Sequence, residues 1–418
     1  MSKIYDVAII GGGAAGMMAA HSAHEALWGG DVIVIEKNKY TCRKIGITGK
    51  GRCNLTNNCT VNELLESVRS NPKFLYGAVS RFSPADTMEF FEEAGVPLKT
   101  ERGRRVFPVS DKASDIQFAF DRVIRNDGIE VKYNCAAKSI SKSGEYVNIS
   151  TQSGNITAKC VVISTGGVSY PLTGSTGDGH EMLESMGISI TPLSPSLIPV
   201  ETKEDFSELS GLTLKNVRLN VHDKNGRMVY TELGEMLFTH FGVSGPLVLS
   251  ASANMQDFPP ETYEMSIDLK PALSDEELDR RLISDLTENS AKDFINSLGK
   301  LLPQKLIETV VRKSGVDPHK KSANITREER QSLLRTLREF MIHIKGFRPI
   351  EEAIVTSGGV DVSEINPKTM ELKKLPCVFV AGELIDIDAY TGGYNLQLAF
   401  STGHLAGKSA AEKALTID

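Results

Sequence analysis

The stretch DVAIIGGGAAGMMAAHSAHEALWGGDVIVIEK, residues 6–37, decides the fold. Val7–Ile10 are apolar and β-prone, as expected of a strand that is buried on both faces. Three glycines follow in the spacing G-x-G-x-x-G, and an alanine-rich segment after them predicts a helix. A second apolar run, Val32–Ile35, ends in Glu36. The order strand, turn, helix, strand, acid predicts a βαβ unit of an α/β fold.

Each glycine of this spacing has a physical task. Gly11 permits the tight turn, Gly13 lets a pyrophosphate approach the backbone, and Gly16 lets the helix pack close to the sheet. Glu36 lies 20 residues beyond Gly16, where a carboxylate accepts hydrogen bonds from both ribose hydroxyls and repels a 2′-phosphate. The unit therefore predicts a bound dinucleotide without a 2′-phosphate, such as FAD or NAD.

Composition restricts the class of protein. The chain has 418 residues, of which 40% are hydrophobic and 24% charged, and its formal net charge is -6. An acidic balance argues against a surface that binds nucleic acid or anionic membrane throughout. No apolar segment approaches the roughly 20 residues of a membrane span, so we expect a cytoplasmic protein without a membrane partner. The six cysteines form no C-x-x-C, and we expect no metal site.

A glycine-rich loop, KIGITGKGRCNLTN at residues 44–57, follows the second strand. It does not match a P-loop, because Lys44 replaces the first glycine and Gly51 stands where Ser or Thr would bind magnesium. One interpretation is a loop laid along a flat anionic cofactor, with Lys44 and Arg52 neutralising pyrophosphate or reduced flavin and Asn54 bonding the ring edge. The other interpretation, a solvated basic loop, stays open on this stretch alone.

Two further regions favour FAD over NAD. Residues 129–163 predict a three-stranded meander that runs into Thr165-Gly166-Gly167. Near the carboxyl terminus a buried strand precedes Gly382-Glu383. Flavin-binding proteins of the two-dinucleotide type carry such a meander and a Thr-Gly element beside the first βαβ unit.

The carboxyl-terminal segment supplies candidate ligands for the flavin side. Glu383 or Asp386 would bind a ribitol hydroxyl, and a helix starting near Tyr394, after Gly392-Gly393, would direct its amino terminus at the pyrimidine ring. Because no second G-x-G-x-x-G occurs, we expect NAD(P)H to bind only transiently as a co-substrate.

The middle of the chain differs in composition. Prolines in ITPLSPSLIPV mark a domain exit, and residues 200–269 predict a small β-barrel or sandwich. Two capping boxes, Ser274 with Glu277 and Thr326 with Glu329, predict helices. The second helix should place four apolar side chains on one face: Leu333, Leu337, Phe340 and Ile344.

The helical segment also raises a different class of function. Residues 305–348 contain 11 Lys/Arg and five Asp/Glu, an excess of +6 (11 minus 5). Such a segment is compatible with an RNA-modifying or redox-regulatory flavoprotein that binds nucleic acid. We favour a lid with a solvated basic face, because no recognition pattern stands out.

Few residues qualify for acid–base or thiol chemistry. His240, in the loop FTHFGVSGP, is the candidate catalytic residue, and a loop-stabilising role is equally compatible with its position. Tyr170 and Tyr394 are weaker proton-donor candidates. Cys53 and Cys59 are separated by five residues, unlike the pair of flavoprotein disulfide reductases, and packing is the favoured role for both.

Several motifs together resemble the bacterial BaiN-like flavoproteins, which are described as NAD(P)/FAD-dependent oxidoreductases. They are GGGAAG, K-x-G-x-T-G-x-G-R-C-N-x-T-N, LFTHFGVSGP, TSGGV and AGELIDIDAYTGGYNLQLAFSTG. The resemblance runs from about Asp6 to Gly407 and implies non-covalent FAD. It also implies a Rossmann-like FAD domain of the two-dinucleotide-binding type at 1–195 and 349–418. Two inserted domains are implied, a β-barrel-like one at 196–272 and a helical one at 273–348.

The sequence thus predicts an FAD-dependent oxidoreductase that reduces a conjugated small molecule with NAD(P)H. The alternatives are a nucleic-acid-linked flavoprotein and a flavin-storage scaffold. The expected cofactor-binding residues are Gly11, Gly13, Ala14, Ala15, Glu36, Lys37, Lys44, Gly51, Arg52, Cys53, Asn54, Ala136, Thr165, Gly166, Gly167, Gly382, Glu383, Asp386, Gly393, Tyr394, Asn395 and Leu396.

Overall fold

The computed structural model describes residues 3–417. By density of internal contacts the chain divides into two units. The first consists of Met1–Ser196 with Ile350–Asp418, and the second consists of Leu197–Pro349. The division into three domains expected from the sequence stays a prediction. Within residues 3–417, no helix has both the length and the apolar character that crossing a membrane requires.

The described chain contains both strands and helices, in runs of one to five elements of the same kind. In chain order, the strands are β1 (Ile4–Ile10), β2 (Val32–Ile35), β3 (Thr56–Asn57), β4 (Leu98–Thr100), β5 (Arg105–Pro108), β6 (Glu130–Lys132), β7 (Ala137–Ser143), β8 (Tyr146–Thr151), β9 (Gly154–Ile163), β10 (Ile190–Ser196), β11 (Val200–Thr202), β12 (Thr213–His222), β13 (Met228–Phe238), β14 (Gly242–Ser244), β15 (Glu264–Asp268), β16 (Phe340–Phe347), β17 (Val355–Val360) and β18 (Val378–Val380). The helices are α1 (Ala14–Ala26), α2 (Val61–Glu66), α3 (Pro72–Arg81), α4 (Pro84–Glu93), α5 (Ala113–Asn126), α6 (Asp178–Glu184), α7 (Pro246–Ala253), α8 (Asp275–Glu288), α9 (Gln304–Ser314), α10 (Arg327–Arg338) and α11 (Tyr394–Ala414).

A seven-stranded sheet forms the centre of the first unit. Its order is β6-β2-β1-β9-β8-β7, and β18 also pairs with β9. β1 lies parallel to both β2 and β9, so that Val7 is in register with Val32 and with Cys160. β2 and the carboxyl-terminal part of β1 carry Val, Ile and Ala because both faces of these strands are buried. The predicted βαβ unit and the α/β class are confirmed.

The meander differs in one detail from the prediction. The sequence predicts a single strand from Ile129 to Ser141, but the chain forms two, β6 and β7. β6 pairs parallel with β2, whereas β7 pairs antiparallel with β8. Asn134, between them, has a φ of 51°, a left-handed conformation that turns the chain. A purely local pattern of apolar residues does not reveal this turn.

Helix α11 packs along α1, so the carboxyl-terminal segment lies on the first βαβ unit. His404 of α11 contacts α1 through a 2.9 Å hydrogen-bond distance between its Nδ1 and the Ser22 hydroxyl. Its ring also stacks on Phe82, with ring centroids 4.9 Å apart. Burial is the main cause that lowers the pKa of His404, to about 4, and Lys408 lowers it further.

We expect His404 to make folding stability depend on pH. Its pKa is lower in the folded chain than the ordinary 6.5, so the unfolded chain binds more protons between these values. The stabilisation is complete above about pH 6.5 and is lost as the pH falls toward 4, amounting to about 3 kcal/mol. Urea unfolding measured from pH 7 to 4 should show that the free energy of unfolding falls less steeply for His404→Gln than for wild type. An equal fall of the free energy of unfolding in the two proteins would contradict this role. The control is His240→Gln, because His240 is exposed.

The second unit contains a closed barrel with strand order β11-β14-β13-β12-β15-β16. Helices α8, α9 and α10 are inserted in the chain between β15 and β16. Both predicted capping boxes are confirmed, at Ser274 with Glu277 and at Thr326 with Glu329.

The sequence predicts one helix that includes Phe340 and Ile344, and this prediction is wrong for these two residues. That helix ends at Arg338, and Phe340–Phe347 form the strand that closes the barrel against β11 and β15. Phe340, Ile342 and Ile344 are buried in alternation with more exposed residues, which is the period of a strand. A spacing of four fits a helix and a strand equally over so few residues.

Candidate cofactor site

The glycine turn after β1 is held by Glu36. One Glu36 carboxylate oxygen, Oε2, accepts a hydrogen bond from the Gly12 N–H at 2.8 Å. The other, Oε1, accepts from the backbone N–H and the side-chain amide of Asn38, at 2.7 and 2.8 Å. The carboxylate is buried, with 6% of the residue exposed. It closes the turn, and its contact with a ribose stays a prediction.

The amino terminus of α1 offers space for an anion. Gly13 precedes the helix, and apart from Gly13 and its two chain neighbours none of residues 3–417 places an atom within 4 Å of a Cβ built on it. The next residues, Ala14 and Ala15, begin the helix, and their side chains are single methyl groups. Free backbone N–H groups at a helix start attract phosphate, so this position fits a pyrophosphate. That assignment, with Gly11, stays a prediction.

Lys44 and Glu383 form an ion pair across the first unit, although 339 residues separate them in the chain. The Lys44 ammonium lies 2.7 Å from Glu383 Oε2 and 3.0 Å from Oε1, and it also donates to the Ser169 hydroxyl at 2.7 Å. Glu383 Oε1 accepts further hydrogen bonds from Ser169 Oγ at 3.0 Å and from the Thr356 N–H at 2.8 Å. We call these four residues the Lys44–Glu383 cluster. Two predicted cofactor ligands are therefore held together by protein contacts.

The glycine-rich loop also contacts the start of α11. Gly393 precedes that helix with a φ of 94°, and a Cβ on it would lie 2.4 Å from the Thr56 carbonyl oxygen. The Thr56 hydroxyl donates to Gln397 Oε1 at 2.6 Å, and the Asn57 amide donates to the Gly392 carbonyl at 3.1 Å. Only glycine at position 393 permits this approach. The loop is thus an ordered part of the first unit and not a free basic segment.

Two polar atoms of this region lack a protein partner. Asn54 Oδ1 and Thr165 Oγ1 are among the buried side-chain oxygens of residues 3–417 that accept or donate no hydrogen bond. Buried polar groups are nearly always hydrogen-bonded, and an unpaired one costs about 1–3 kcal/mol. A polar ligand at these positions removes that cost. The residues present therefore fit a bound cofactor such as FAD.

Replacing these two residues tests the fit. We expect Thr165→Val and Asn54→Leu to leave the stability of the FAD-free protein within about 1 kcal/mol of wild type, because no protein hydrogen bond is lost. The same changes should weaken FAD binding about tenfold. Calorimetric titration of the FAD-free proteins with FAD measures the second effect, and urea unfolding measures the first. Lower stability with unchanged FAD affinity would contradict the assignment.

Other predicted residues make contacts within the protein. Lys37 donates to Asp178 at 2.7 Å and also to Thr176. Arg52 pairs with Glu101 and Asp111, and its guanidinium lies 4.2 Å from the centroid of the Phe107 ring. These two cations are balanced by neighbouring acids, and their roles toward a cofactor stay predictions.

The carboxyl-terminal loop is ordered by its own side chains. The Asn395 amide accepts from the Ala389 N–H at 2.9 Å and donates to the Ala389 carbonyl at 2.7 Å. Asp386 accepts a 3.3 Å hydrogen bond from Asn71, and burial is the main cause that raises the pKa of its carboxyl. Asn395 therefore shapes the loop between Glu383 and α11.

The remaining predicted residues lie along the same elements. Gly51, Cys53, Gly166, Gly167, Ala136, Gly382, Tyr394 and Leu396 belong to the glycine-rich loop, to segments next to β7, β9 and β18, and to the start of α11. Cys53 is buried, which raises the pKa of its thiol to about 12, and burial raises that of Cys59 to about 11. Thiols that stay protonated at neutral pH are poor nucleophiles. This favours packing over a redox pair.

Sequence reasoning missed three residues of this region. Ser169 and Thr356 belong to the Lys44–Glu383 cluster, and His180 is buried, with Nε2 3.1 Å from the Leu384 carbonyl oxygen. Burial is the main cause that lowers the pKa of His180. A glycine-rich segment, TGSTGDGH, was the only local signal near His180. His240 lies in the second unit, exposed between β13 and β14 and edge-on to the Phe241 ring.

Comparisons with known proteins agree with this architecture. The chain is 28% identical over 411 residues to the 3-dehydro-bile acid delta(4,6)-reductase of Clostridium scindens, covering 97% of this chain and 99% of the relative. It is 30% identical over 402 residues to the ribosomal RNA dihydrouridine synthase of Escherichia coli, covering 95% and 96%.

A solved structure shares the fold at low sequence identity. The 3-ketosteroid-delta4-(5alpha)-dehydrogenase of Rhodococcus jostii RHA1 superposes with a TM-score of 0.54 and 13% identity, covering 98% of this chain and 97% of that one. The chain has a Rossmann-type FAD-binding fold and is a flavin-dependent oxidoreductase. The model of the HI0933-like protein Rossmann domain matches residues 5–409, and the chain therefore belongs to that family.

Proposed function

We propose that the chain uses NAD(P)H and FAD to reduce a carbon–carbon double bond conjugated to a carbonyl group in a small molecule. The observation that carries the proposal is the similarity, over nearly the whole of both chains, to a reductase of a bile acid. The cofactor region described above supports it, because unpaired polar atoms and an open helix start fit FAD.

Bound FAD, once reduced by NAD(P)H, would supply a hydride to one carbon of the conjugated bond, and a proton from water would complete the reduction at the other carbon. The chain's own residues contribute by holding charged groups in fixed positions. In the Lys44–Glu383 cluster, the Ser169 hydroxyl and the Thr356 N–H hold the Glu383 carboxylate, and that carboxylate in turn fixes the Lys44 ammonium. Because this cation is already paired, its part is to fix the glycine-rich loop at Lys44 against the segment that follows β18, where other predicted cofactor residues lie.

Anaerobic reduction tests the proposal. The purified FAD-containing protein is mixed with NADH or NADPH without oxygen, and the flavin absorbance is followed. A panel of conjugated ketones and quinones is then added. We expect bleaching by at least one nicotinamide and recovery of the oxidised spectrum with at least one conjugated ketone. Failure of both nicotinamides to bleach the flavin would contradict the proposal and would favour a storage protein.

A second candidate is reduction of a uracil ring in ribosomal RNA. It is favoured by the 30% identity to a ribosomal RNA dihydrouridine synthase. The chemical step is related, since the C5–C6 double bond of uracil is also conjugated to a carbonyl group. The candidates differ in whether the conjugated ring is free or part of a polynucleotide.

The charge of the helical segment does not favour RNA as strongly as its sequence suggested. Eight of its 11 cations are paired with carboxylates of the second unit: Arg312, Lys313, Lys320, Lys321, Arg330, Arg338, Lys345 and Arg348. A cation that is already paired gains less from a phosphate. Gel retardation of ribosomal RNA fragments at several salt concentrations, with dihydrouridine analysis after incubation with NADPH, separates the two candidates. Formation of dihydrouridine would favour the RNA substrate.

A further inference from the structure

A cavity of about 860 Å³ lies in the first unit, outside the predicted cofactor residues. Residues 40–47, the middle of α5 and residues 170–173 line it, together with Glu351. Its volume is within the range of about 300–1,000 Å³ that is typical of small-molecule sites. None of its lining residues is among the expected FAD ligands. We call it the aromatic cavity.

The walls of the aromatic cavity are mainly apolar. Tyr40, Phe118 and Tyr170 contribute rings, and Ile47 and Leu172 contribute aliphatic side chains. Four of these side chains are unusually exposed, at 63% for Tyr40, 64% for Phe118, 46% for Ile47 and 87% for Leu172. Apolar residues that are exposed together mark a surface that binds something. Rings in the wall favour a flat ligand that stacks on them.

The charges at the cavity disfavour an anionic ligand. Arg43 is the one cation among the lining residues that the structure gives for this cavity, and Asp121 and Glu351 are carboxylates. Arg43 also donates to the Asn38 side chain at 2.7 Å, and Asp121 accepts from the Thr41 hydroxyl at 2.9 Å. Two carboxylates and one cation, which already makes a hydrogen bond within the protein, would repel the phosphates of a dinucleotide or of a polynucleotide backbone.

The aromatic cavity adjoins the Lys44–Glu383 cluster along the chain. Arg43 of the cavity precedes Lys44, and Tyr170 of the cavity follows Ser169. The hydrogen bond of 2.7 Å between Lys44 and Ser169 joins these two walls. The walls of the cavity are therefore joined to the Lys44–Glu383 cluster, which contains two of the predicted cofactor ligands.

We propose that the aromatic cavity binds the flat, uncharged, conjugated ring that the protein reduces. This inference rests on the proposed function and assigns its substrate a place. Stacking on Tyr40, Phe118 and Tyr170 supplies affinity for the ring, and Leu172 covers it from the rim. The same ring chemistry is present in a free steroid ketone and in a uracil base, and binding of separate probes distinguishes these sources.

Direct binding to the FAD-containing protein tests the inference without requiring turnover. The probes are 4-androstene-3,17-dione, a naphthoquinone and uridine, measured by equilibrium titration. We expect at least one probe to bind, and Leu172→Asp and Phe118→Ser to weaken it about tenfold or more. Leu415→Asp is the matched control, because Leu415 is 61% exposed on another surface, and it should change the affinity less than about twofold.

The outcomes separate this inference from the proposed function. If none of the probes binds wild type, or if affinity is unchanged in both cavity variants, the inference is overturned. It is also overturned if Leu172→Asp loses FAD, since the cavity would then belong to the cofactor site. A conjugated ketone could also reoxidise the reduced flavin of wild type and of both cavity variants with the same KM. That result would keep the proposed function and overturn the inference.

Discussion

Replacing Gly16 with alanine is expected to give a protein that retains less than about a tenth of the FAD bound by wild type. A Cβ at this position would lie 1.8 Å from the Gly11 carbonyl oxygen and 2.6 Å from the Ser164 hydroxyl. Because the first of these atoms is backbone in the tight turn, α1 must move away from β1. The amino terminus of α1 is then displaced from the position that fits a pyrophosphate. The ratio of flavin to protein after gel filtration measures the effect.

A matched glycine variant separates this effect from a general cost of alanine. Gly299 lies in the second unit, where none of the described residues except its own chain neighbours would come within 4 Å of an added Cβ. Gly299→Ala should keep the FAD content and the unfolding midpoint of wild type. Circular dichroism of Gly16→Ala shows whether the chain remains folded. A folded Gly16→Ala protein with full FAD content would rule out the proposed role of the turn.

The second large effect concerns the Lys44–Glu383 pair. Lys44→Met leaves a Glu383 side chain that is only 18% exposed without its cation, and we expect a loss of about 1–3 kcal/mol in the free energy of unfolding. Adding Glu383→Gln removes the uncompensated charge, so the double variant should regain part of this loss. Urea unfolding of wild type, both single variants and the double variant measures the coupling between the residues.

FAD affinity should respond differently from stability. The double variant restores a neutral pair but no cation, so its FAD affinity should stay about tenfold or more below that of wild type. If the losses of stability in the two single variants add up to the loss in the double variant within about 0.5 kcal/mol, the two side chains act independently. Recovery of FAD affinity in the double variant would show that the cation at position 44 does not serve the cofactor.

Features that depend on residues close together in the sequence could be predicted best. The turn from β1 into α1, the acid Glu36 and the helix starting at Tyr394 all follow from local spacing, because a glycine turn and a helix start are each set within a few residues. The capping boxes of α8 and α10 were predictable for the same reason.

The rest depends on contacts between distant parts of the chain. The pairing of Lys44 with Glu383 spans 339 residues, and no local pattern indicates that Ser169 and Thr356 bind the same carboxylate. The spacing of Phe340 and Ile344 also fits a helix, and only pairing with β15 gives β16 its alternation in burial. Side chains from distant segments likewise determine which cations are paired, because the two acids that bind Arg52 come from outside its loop.

The central claim is that the amino-terminal and carboxyl-terminal segments of the first unit together hold FAD. Its most direct test is calorimetric titration of FAD into protein from which flavin has been removed, in wild type and in Gly393→Ala, whose Cβ would meet the Thr56 carbonyl oxygen. We predict equimolar, saturable uptake of FAD by wild type and at least about a tenfold lower affinity in the variant. A folded wild-type protein that takes up no FAD would contradict the account.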